Sequence, residues 1–420
     1  MRVVCINKFD FKGGAAIASY RLHKGLLQSG IDSVMLVQKK STDDRTVLGP
    51  KTRLGAGVNQ LRKHVDNFPL WIYRSRNKNP FFLQWLPNSL QSKIDSIDPD
   101  IIHLNWICGG YIPVNALAKF NKPVVWTFHD MWAFTGGCCY SGECTGYVEH
   151  CGKCPQLGSR REKDLSFWGW QRKKCVLEKL NLTIVTPSRW MGKCAGQSSL
   201  FKDKAIRVIP NGIDLNRFNP KDQSVCRDIL GLPLDKKLVL FGAVDATSDL
   251  RKGFHYLSSV FAELKKSSLA GKTELVVFGA SEPENSPELG FKTTYLGRLY
   301  DEISIALLYS AVDVFIVPSL EDNLPNTVLE SMACGTPCVA FDVGGLPDMI
   351  DHFENGYLAK AMDASDLANG LDYVLNTSDE KYDKMSINAR QKAVREFDIQ
   401  IVSERYKKLY EDILSQGLIK

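Results

Sequence analysis

Two carboxylates, Asp322 and Glu330, are separated by seven residues in the stretch 318–337, PSLEDNLPNTVLESMACGTP. The apolar run 312–317 before it predicts a buried parallel strand. A helix is predicted over 326–334, stopped by Gly335 and Pro337, with a further strand at 338–341. Strand, polar loop and helix start, in that order, place the acids at the carboxyl edge of a parallel sheet, where open α/β sheets take ligands. Backbone N–H groups near Asn326 and Thr327 suit an anion, and phosphate is the natural choice. Glu330 falls one turn further along the same helical face. A carboxylate beside an anion is unfavourable unless it holds something else, and the paired hydroxyls of a ribose fit. The competing reading is an ordinary strand–loop–helix unit with a chance pair of acids.

Other residues could join that chemistry. Asp249-Leu-Arg251-Lys252-Gly253 is predicted to open a helix, and two cations at a helix start form an anion clamp or simply a solvated helix end. Gly13 and Gly14 follow the first predicted strand, 3–7. They allow backbone to approach a phosphate closely, or make a simple tight turn. Two more buried strands, 100–105 and 123–128, end in polar residues: His103, Asn105 and Trp106 on one, His129 and Asp130 on the other. Polar tips on apolar strands point to a ligand site at the sheet edge, here an acceptor site. The insertion 136–157 carries Cys138, Cys144, Cys151 and Cys154 in a C-x5-C-x6-C-x2-C pattern. Four such cysteines suit a structural zinc, with free thiols and disulfides as the alternatives.

The stretch around Asp322 and Glu330 resembles the acidic-pair signature of the family 4 retaining glycosyltransferases of the GT-B fold. In that family two acids separated by seven residues precede a small-residue helix and Gly-Thr-Pro. The turn Pro210-Asn211-Gly212-Ile213-Asp214 and the loop Gly344-Gly345 also match family patterns. The family's Gly-Arg after the strand is Gly242-Ala243 here, and Lys252 matches its lysine. The resemblance implies an α/β chain with two doubly wound Rossmann-like domains facing each other across a cleft. It implies glycosyl transfer from a nucleoside-diphosphate sugar to a saccharide hydroxyl, with retention and no catalytic metal. Lys252 and Arg251 would meet the diphosphate, and Asp322 or Glu321 a donor-sugar hydroxyl. Asn323, Leu324, Pro325, Asn326 and Thr327 would complete the donor loop. His129 would lie beside the donor sugar. A sugar-nucleotide epimerase and a non-catalytic donor-binding partner are the alternatives on the same fold.

Length and composition fit this picture. At 420 residues two domains are expected. The predicted division is 1–205 for an acceptor domain, 206–398 for a donor domain, and 399–420 for a helix crossing back, with Val402, Tyr406, Leu409, Tyr410 and Ile413 on one face. Apolar content of 44% and charged content of 24% are those of a globular chain. The formal charge of +6 admits anionic partners without requiring nucleic acid. The first residues form a strand rather than a signal core, and no apolar run reaches membrane-spanning length, so a cytoplasmic protein is expected. Residues 53–90 interleave Arg62, Lys63, Arg74, Arg76 and Lys78 with Phe68, Trp71, Phe81, Phe82 and Trp85. That face suits an anionic membrane surface or a lipid-linked saccharide, and a solvated helical pair is the plain alternative.

Overall fold

Runs such as Val3-Val-Cys-Ile6 and Leu238-Val-Leu-Phe241 are apolar on both alternating faces, which suits strands covered by helices on each side. The computed structural model describes residues 1–50, 52–88, 90–242, 249–279, 281–282 and 289–417. The chain divides into two units, 1–210 with 402–420, and 211–401.

The first unit is built on β1 (Arg2–Phe9), β2 (Asp32–Lys39), β3 (Val47–Leu48), β4 (Ile101–Leu104), β5 (Val124–Thr127), β6 (Leu182–Thr186) and β7 (Ile206–Val208). They pair in the order β3-β2-β1-β4-β5-β6-β7, all parallel. The second unit has β8 (Lys237–Gly242), β9 (Thr273–Phe278), β10 (Thr293–Tyr295), β11 (Val314–Val317), β12 (Cys338–Phe341) and β13 (Gly356–Ala359). Their order is β10-β9-β8-β11-β12-β13, again parallel. Each is a doubly wound sheet whose order reverses beside its first strand, the place where such sheets take ligands.

Most expected elements stand where the apolar runs put them. One does not. The helix expected to open near Lys252 starts only at Leu257, after two short 3-10 turns, Leu250–Lys252 and Phe254–Tyr256. Gly253 separates them with φ +73°, and a left-handed residue cannot continue a right-handed helix. Ala243 and Val244, read as the end of the β8 strand, lie outside the described residues.

The last helix, Ile399–Gly417, packs Val402, Tyr406 and Tyr410 against the core of the first unit. Beneath it runs a buried chain of hydrogen bonds. The Tyr410 hydroxyl meets His103 Nδ1 at 2.7 Å, His103 Nε2 meets Thr127 Oγ1 at 2.8 Å, and Thr127 Oγ1 meets the Tyr406 hydroxyl at 2.9 Å. His103 therefore does not face an acceptor, as its place at a strand end had suggested. It is wholly buried and ties β4 and β5 to the last helix.

Burial holds His103 down to about 3 and His23, buried between Ser33 and Thr46, down to about 4. Both rings are neutral in the folded protein, whereas the unfolded chain takes up protons near pH 6.5. Between pH 6.5 and 4 the unfolded state thus binds more protons, and stability must fall as the pH falls. Each histidine contributes a slope of about 1.4 kcal/mol per pH unit in that window. Urea unfolding followed from pH 7 to 5 should show the midpoint dropping, and His103→Gln should flatten the profile. A pH-independent midpoint contradicts the assignment.

Candidate functional site

In the second unit, the chain leaves β11 into the loop 318–325 and then enters the helix Asn326–Ala333. This loop is positioned by two glycines. A Cβ on Gly253 would lie 1.8 Å from the Pro318 carbonyl oxygen, and one on Gly344 (φ +58°) 2.0 Å from the Asp322 carbonyl oxygen. Only glycine permits these approaches. The loop is then fastened by backbone: Leu320 N–H donates to Arg251 O at 2.8 Å, and Gly345 N–H to Asp322 O at 3.0 Å.

The charged groups fall into pairs. Lys252 Nζ lies 2.6 Å from Asp322 Oδ2, with both side chains mostly covered. Asp322 also accepts from Asn323 N–H at 3.1 Å and from the Ser319 hydroxyl at 3.4 Å. Arg251 pairs with Asp249 at 2.7 Å and reaches the Glu321 carbonyl at 3.4 Å. Neither cation stands at an α-helix start, since Leu250–Lys252 is a short 3-10 turn, and each already has an acid partner. Lys252 closes on an acid 70 residues away, and Arg251 is matched by its own neighbour. Asn323, Leu324, Pro325 and Asn326 are buried, while Glu321 and Thr327 are half-buried. Pro325 occupies the helix N-cap and provides no side-chain cap. Glu330, one turn into the helix, is buried as well. Asn211, of the Pro-Asn-Gly turn, was not among the expected site residues. Its Nδ2 donates to Leu324 O at 3.2 Å and to Asn326 Oδ1 at 3.3 Å, bracing the entry to the helix. The turn signal at 210–212 was the only hint of it.

In the first unit, the ends of β4 and β5 bring Asn105, Trp106, His129 and Asp130 around one small cavity. His129 Nε2 lies 3.1 Å from Asn105 Oδ1, and the buried Asn105 amide nitrogen has no partner among the described residues. Burial brings His129 down to about 4, so the ring is neutral at physiological pH. Asp130 accepts from Trp132 N–H and from Trp106 Nε1, each at 2.9 Å. Its burial pushes the carboxyl up, and those bonds pull it back. Trp106 is fixed in turn by Asn7, whose Oδ1 accepts its N–H at 2.8 Å. Of the expected acceptor residues, Asn105 and Trp106 join His129, and His103 does not. Gly13 has φ +90°, with open space where a Cβ would be, and caps the helix Gly14–Gln28 through its carbonyl. This is a tight turn that only glycine makes without strain.

The basic-aromatic stretch sorts differently from its composition. Phe81 and Phe82 are buried, and Arg62 is turned inward onto Gly110 O at 2.7 Å and Leu86 O at 3.0 Å. The exposed surface is instead Val58, Leu61, Val65, Phe68, Trp71 and Ile72, each between 49% and 74% exposed, along the helix Arg53–Asn67 and the turn Phe68–Ile72. Lys63, Arg74 and Lys78 flank it, also exposed. None of the twelve cysteines is in a disulfide, so the disulfide alternative for 136–157 is not realised. Among the described residues no helix is long and apolar enough to cross a membrane.

Two family models match the chain, "Glycosyltransferase Family 4" over residues 12–217 and "Glycosyl transferases group 1" over 223–392. The chain belongs to the family 4 glycosyltransferases. Among relatives, this family 4 chain is 31% identical over 231 residues to a D-inositol 3-phosphate glycosyltransferase of Corynebacterium jeikeium, a match covering 51% of this chain and 53% of the relative. It is 28% identical over 219 residues to the UDP-Gal:alpha-D-GlcNAc-diphosphoundecaprenol alpha-1,3-galactosyltransferase of Escherichia coli, covering 50% and 54%. The chain spans about half the length of the curated relatives it matches. Whole-chain similarity is structural. Sucrose-phosphate synthase from Thermosynechococcus elongatus aligns over 99% of this chain and 100% of its own, with TM-score 0.69 and 19% identity. The Anabaena HepE structure in complex with UDP-glucose aligns over 99% and 100%, with TM-score 0.64 and 16% identity. The fold is GT-B, two parallel-sheet α/β domains.

The glycine requirement at the loop 318–325 is testable. Gly253→Ala in this family 4 chain forces both a left-handed alanine and a clash with Pro318, so the loop must shift. The expected cost is roughly 1–3 kcal/mol of stability, seen as a lower melting temperature. Gly271→Ala, also at positive φ but facing open space, should cost less. Equal effects would show that the Pro318 approach is not limiting.

Proposed function

We propose that the protein transfers a sugar from a nucleoside-diphosphate sugar to a hydroxyl of a saccharide acceptor, retaining the anomeric configuration and without a catalytic metal. The observation that carries this reading is the second-unit loop: Asp322 paired with Lys252 at the end of β11, and Glu330 buried one turn into the following helix. A carboxylate, an ammonium and a helix start in one place match a sugar, a diphosphate and a ribose. The HepE structure holding UDP-glucose, on the same fold, agrees with such a donor.

In this reading Glu330 accepts from the ribose hydroxyls, and Asp322 or Glu321 from a donor-sugar hydroxyl. Asn323, Leu324 and Pro325 shape the loop. Lys252, Arg251 and the N–H groups of Asn326 and Thr327 meet the diphosphate, with Gly13 and Gly14 offering backbone to it. Charge develops on the diphosphate as its bond to the anomeric carbon breaks, and groups already in place stabilise it without reorganisation. The acceptor oxygen bonds to the anomeric carbon on the face the diphosphate leaves. Its proton passes to a phosphate oxygen, which accounts for retention without a protein nucleophile. His129, neutral, hydrogen-bonds the sugar, and Asn105 and Trp106 line the acceptor side.

The same reading places the work at a membrane. The exposed stripe Val58, Leu61, Val65, Phe68, Trp71 and Ile72 has the makeup of a surface that enters the headgroup layer, and Lys63, Arg74 and Lys78 suit anionic lipid. The acceptor is then a lipid-linked saccharide in cell-surface polysaccharide assembly; the name of the E. coli relative carries a lipid-linked acceptor, alpha-D-GlcNAc-diphosphoundecaprenol.

Three measurements test this. Lys252→Ala should lower turnover about 10²–10³-fold, or about 2–4 kcal/mol, if the ammonium meets the leaving diphosphate. Wild-type turnover in that variant refutes the role, and epimerisation of the nucleotide-sugar with no acceptor present would favour an epimerase. Glu330→Ala should weaken binding of the free nucleoside diphosphate by about 1–3 kcal/mol, read by calorimetry; unchanged affinity removes Glu330 from the ribose. Flotation with phosphatidylglycerol vesicles should carry the protein at low salt and release it at high salt. Trp71→Ser with Ile72→Ser should abolish flotation and leave nucleotide binding intact, whereas a wild-type protein that ignores such vesicles points to a water-soluble acceptor.

A further inference from the structure

The cysteine-rich segment 136–157 has no part in the chemistry above. Its only regular structure is one 3-10 turn, Gly146–Val148, with a second, Pro155–Leu157, at its end. Yet Cys138, Cys144, Cys151 and Cys154 all line one cavity of about 20 Å³, beside Tyr147 and Gly152. That volume admits one small sphere, the size of a water or an ion.

Two further observations concern charge. A backbone donor is directed at one of the sulfurs: Gly136 N–H donates to Cys151 Sγ at 3.1 Å. Such a donor is of little use to a thiol and stabilises a thiolate. The second is Lys173, which is buried with its ammonium donating to Thr135 O at 2.8 Å and to Trp132 O. Among the described residues no carboxylate lies within ion-pair distance of it. The groups whose charge favours its protonated form are the thiolates of Cys108, Cys151 and Cys138 and the Asp130 carboxylate. A buried cation of this kind calls for a nearby negative charge.

We propose that Cys138, Cys144, Cys151 and Cys154 form a structural site for one Zn²⁺ ion. Four thiols lose their protons to solvent as the ion binds, giving a tetrathiolate of charge −2 that Lys173 partly offsets. As thiols the sulfurs are not drawn to metal spacing, and no three His, Cys, Asp or Glu side chains among the described residues are. Binding pulls them to about 2.3 Å from the ion and closes the cavity. A closed tetrathiolate leaves no position for substrate, so the role is to fasten the segment. That matters for the site because the segment braces the end of β5: Cys139 O accepts Met131 N–H at 2.8 Å, and the Cys139 thiol bonds Asp130.

The test uses the full chain, produced with zinc supplied and purified without chelator. Elemental analysis should find about one zinc per chain, and its removal by a mercurial should lower the melting temperature. Cobalt in its place should give the intense thiolate-to-metal absorption of a tetrahedral cobalt site. Cys144→Ser and Cys151→Ser should each lose the metal, and Cys175→Ser, exposed and outside the cluster, should keep it. Should the serine variants fail to fold, alkylation of the wild type read by mass spectrometry decides: zinc should protect these four cysteines and not Cys175. Protein without zinc, zinc retained in both cluster variants, or equal alkylation with and without zinc overturns the proposal. The donor reading rests on the other unit and stands or falls separately.

Discussion

Parallel pairing in both sheets confines where polar chemistry can occur. A parallel strand buried on two faces has no side open to water, so its interior must be apolar. Polar side chains then collect where strands end, and parallel strands all end at one edge. Asn105, Trp106, His129 and Asp130 gather at the ends of β4 and β5 for this reason, and Asp322 follows β11 for the same one. The sheet does not choose these residues. It leaves them only one place to be.

Groups so placed are largely buried, and burial makes each unpaired charge costly. The second unit meets that cost by pairing: Lys252 with Asp322, Arg251 with Asp249. The pairs also fix geometry, since a carboxylate held by an ammonium and a backbone N–H cannot swing. The first unit meets the same cost in another way. His129 stays neutral, and the Asp130 carboxyl is surrounded by donors from Trp106 and Trp132. One unit therefore presents fixed charge, and the other hydrogen-bonding groups of low charge.

The last helix shows how a residue of catalytic appearance acquires another task. His103 ends a strand as His129 does, but Tyr406 and Tyr410 cover it and take both ring nitrogens into a closed network with Thr127. The helix that covers it comes from the far end of the chain. The exposed stripe from Val58 to Ile72 is the reverse case, an apolar face that no element of the described chain covers.

Much of the fold was legible in the sequence, because a strand's burial is written in its own residues. The runs at 3–6, 124–126, 314–317 and 338–341 are apolar throughout, and no distant partner is needed to read them. The helix start at Asn326 and its stop at Gly335 are likewise local, set by proline, glycine and the residues between. The acidic spacing at Asp322 and Glu330 is local too, and so is the strand–loop–helix order that puts Asp322 at the sheet edge. What the sequence could not determine were matters of partnership. Lys252 and Asp322 are 70 residues apart, and nothing near Lys252 shows that its ammonium closes on an acid. Gly253 looked like part of a helix start until the Pro318 carbonyl filled the place of its missing Cβ. Arg62 and Phe81 read as members of a surface face, and tertiary packing turned them inward. Periodicity fixes which residues are apolar and where elements begin, but side-chain partners depend on distances between segments far apart in the chain, and only the folded chain brings those together.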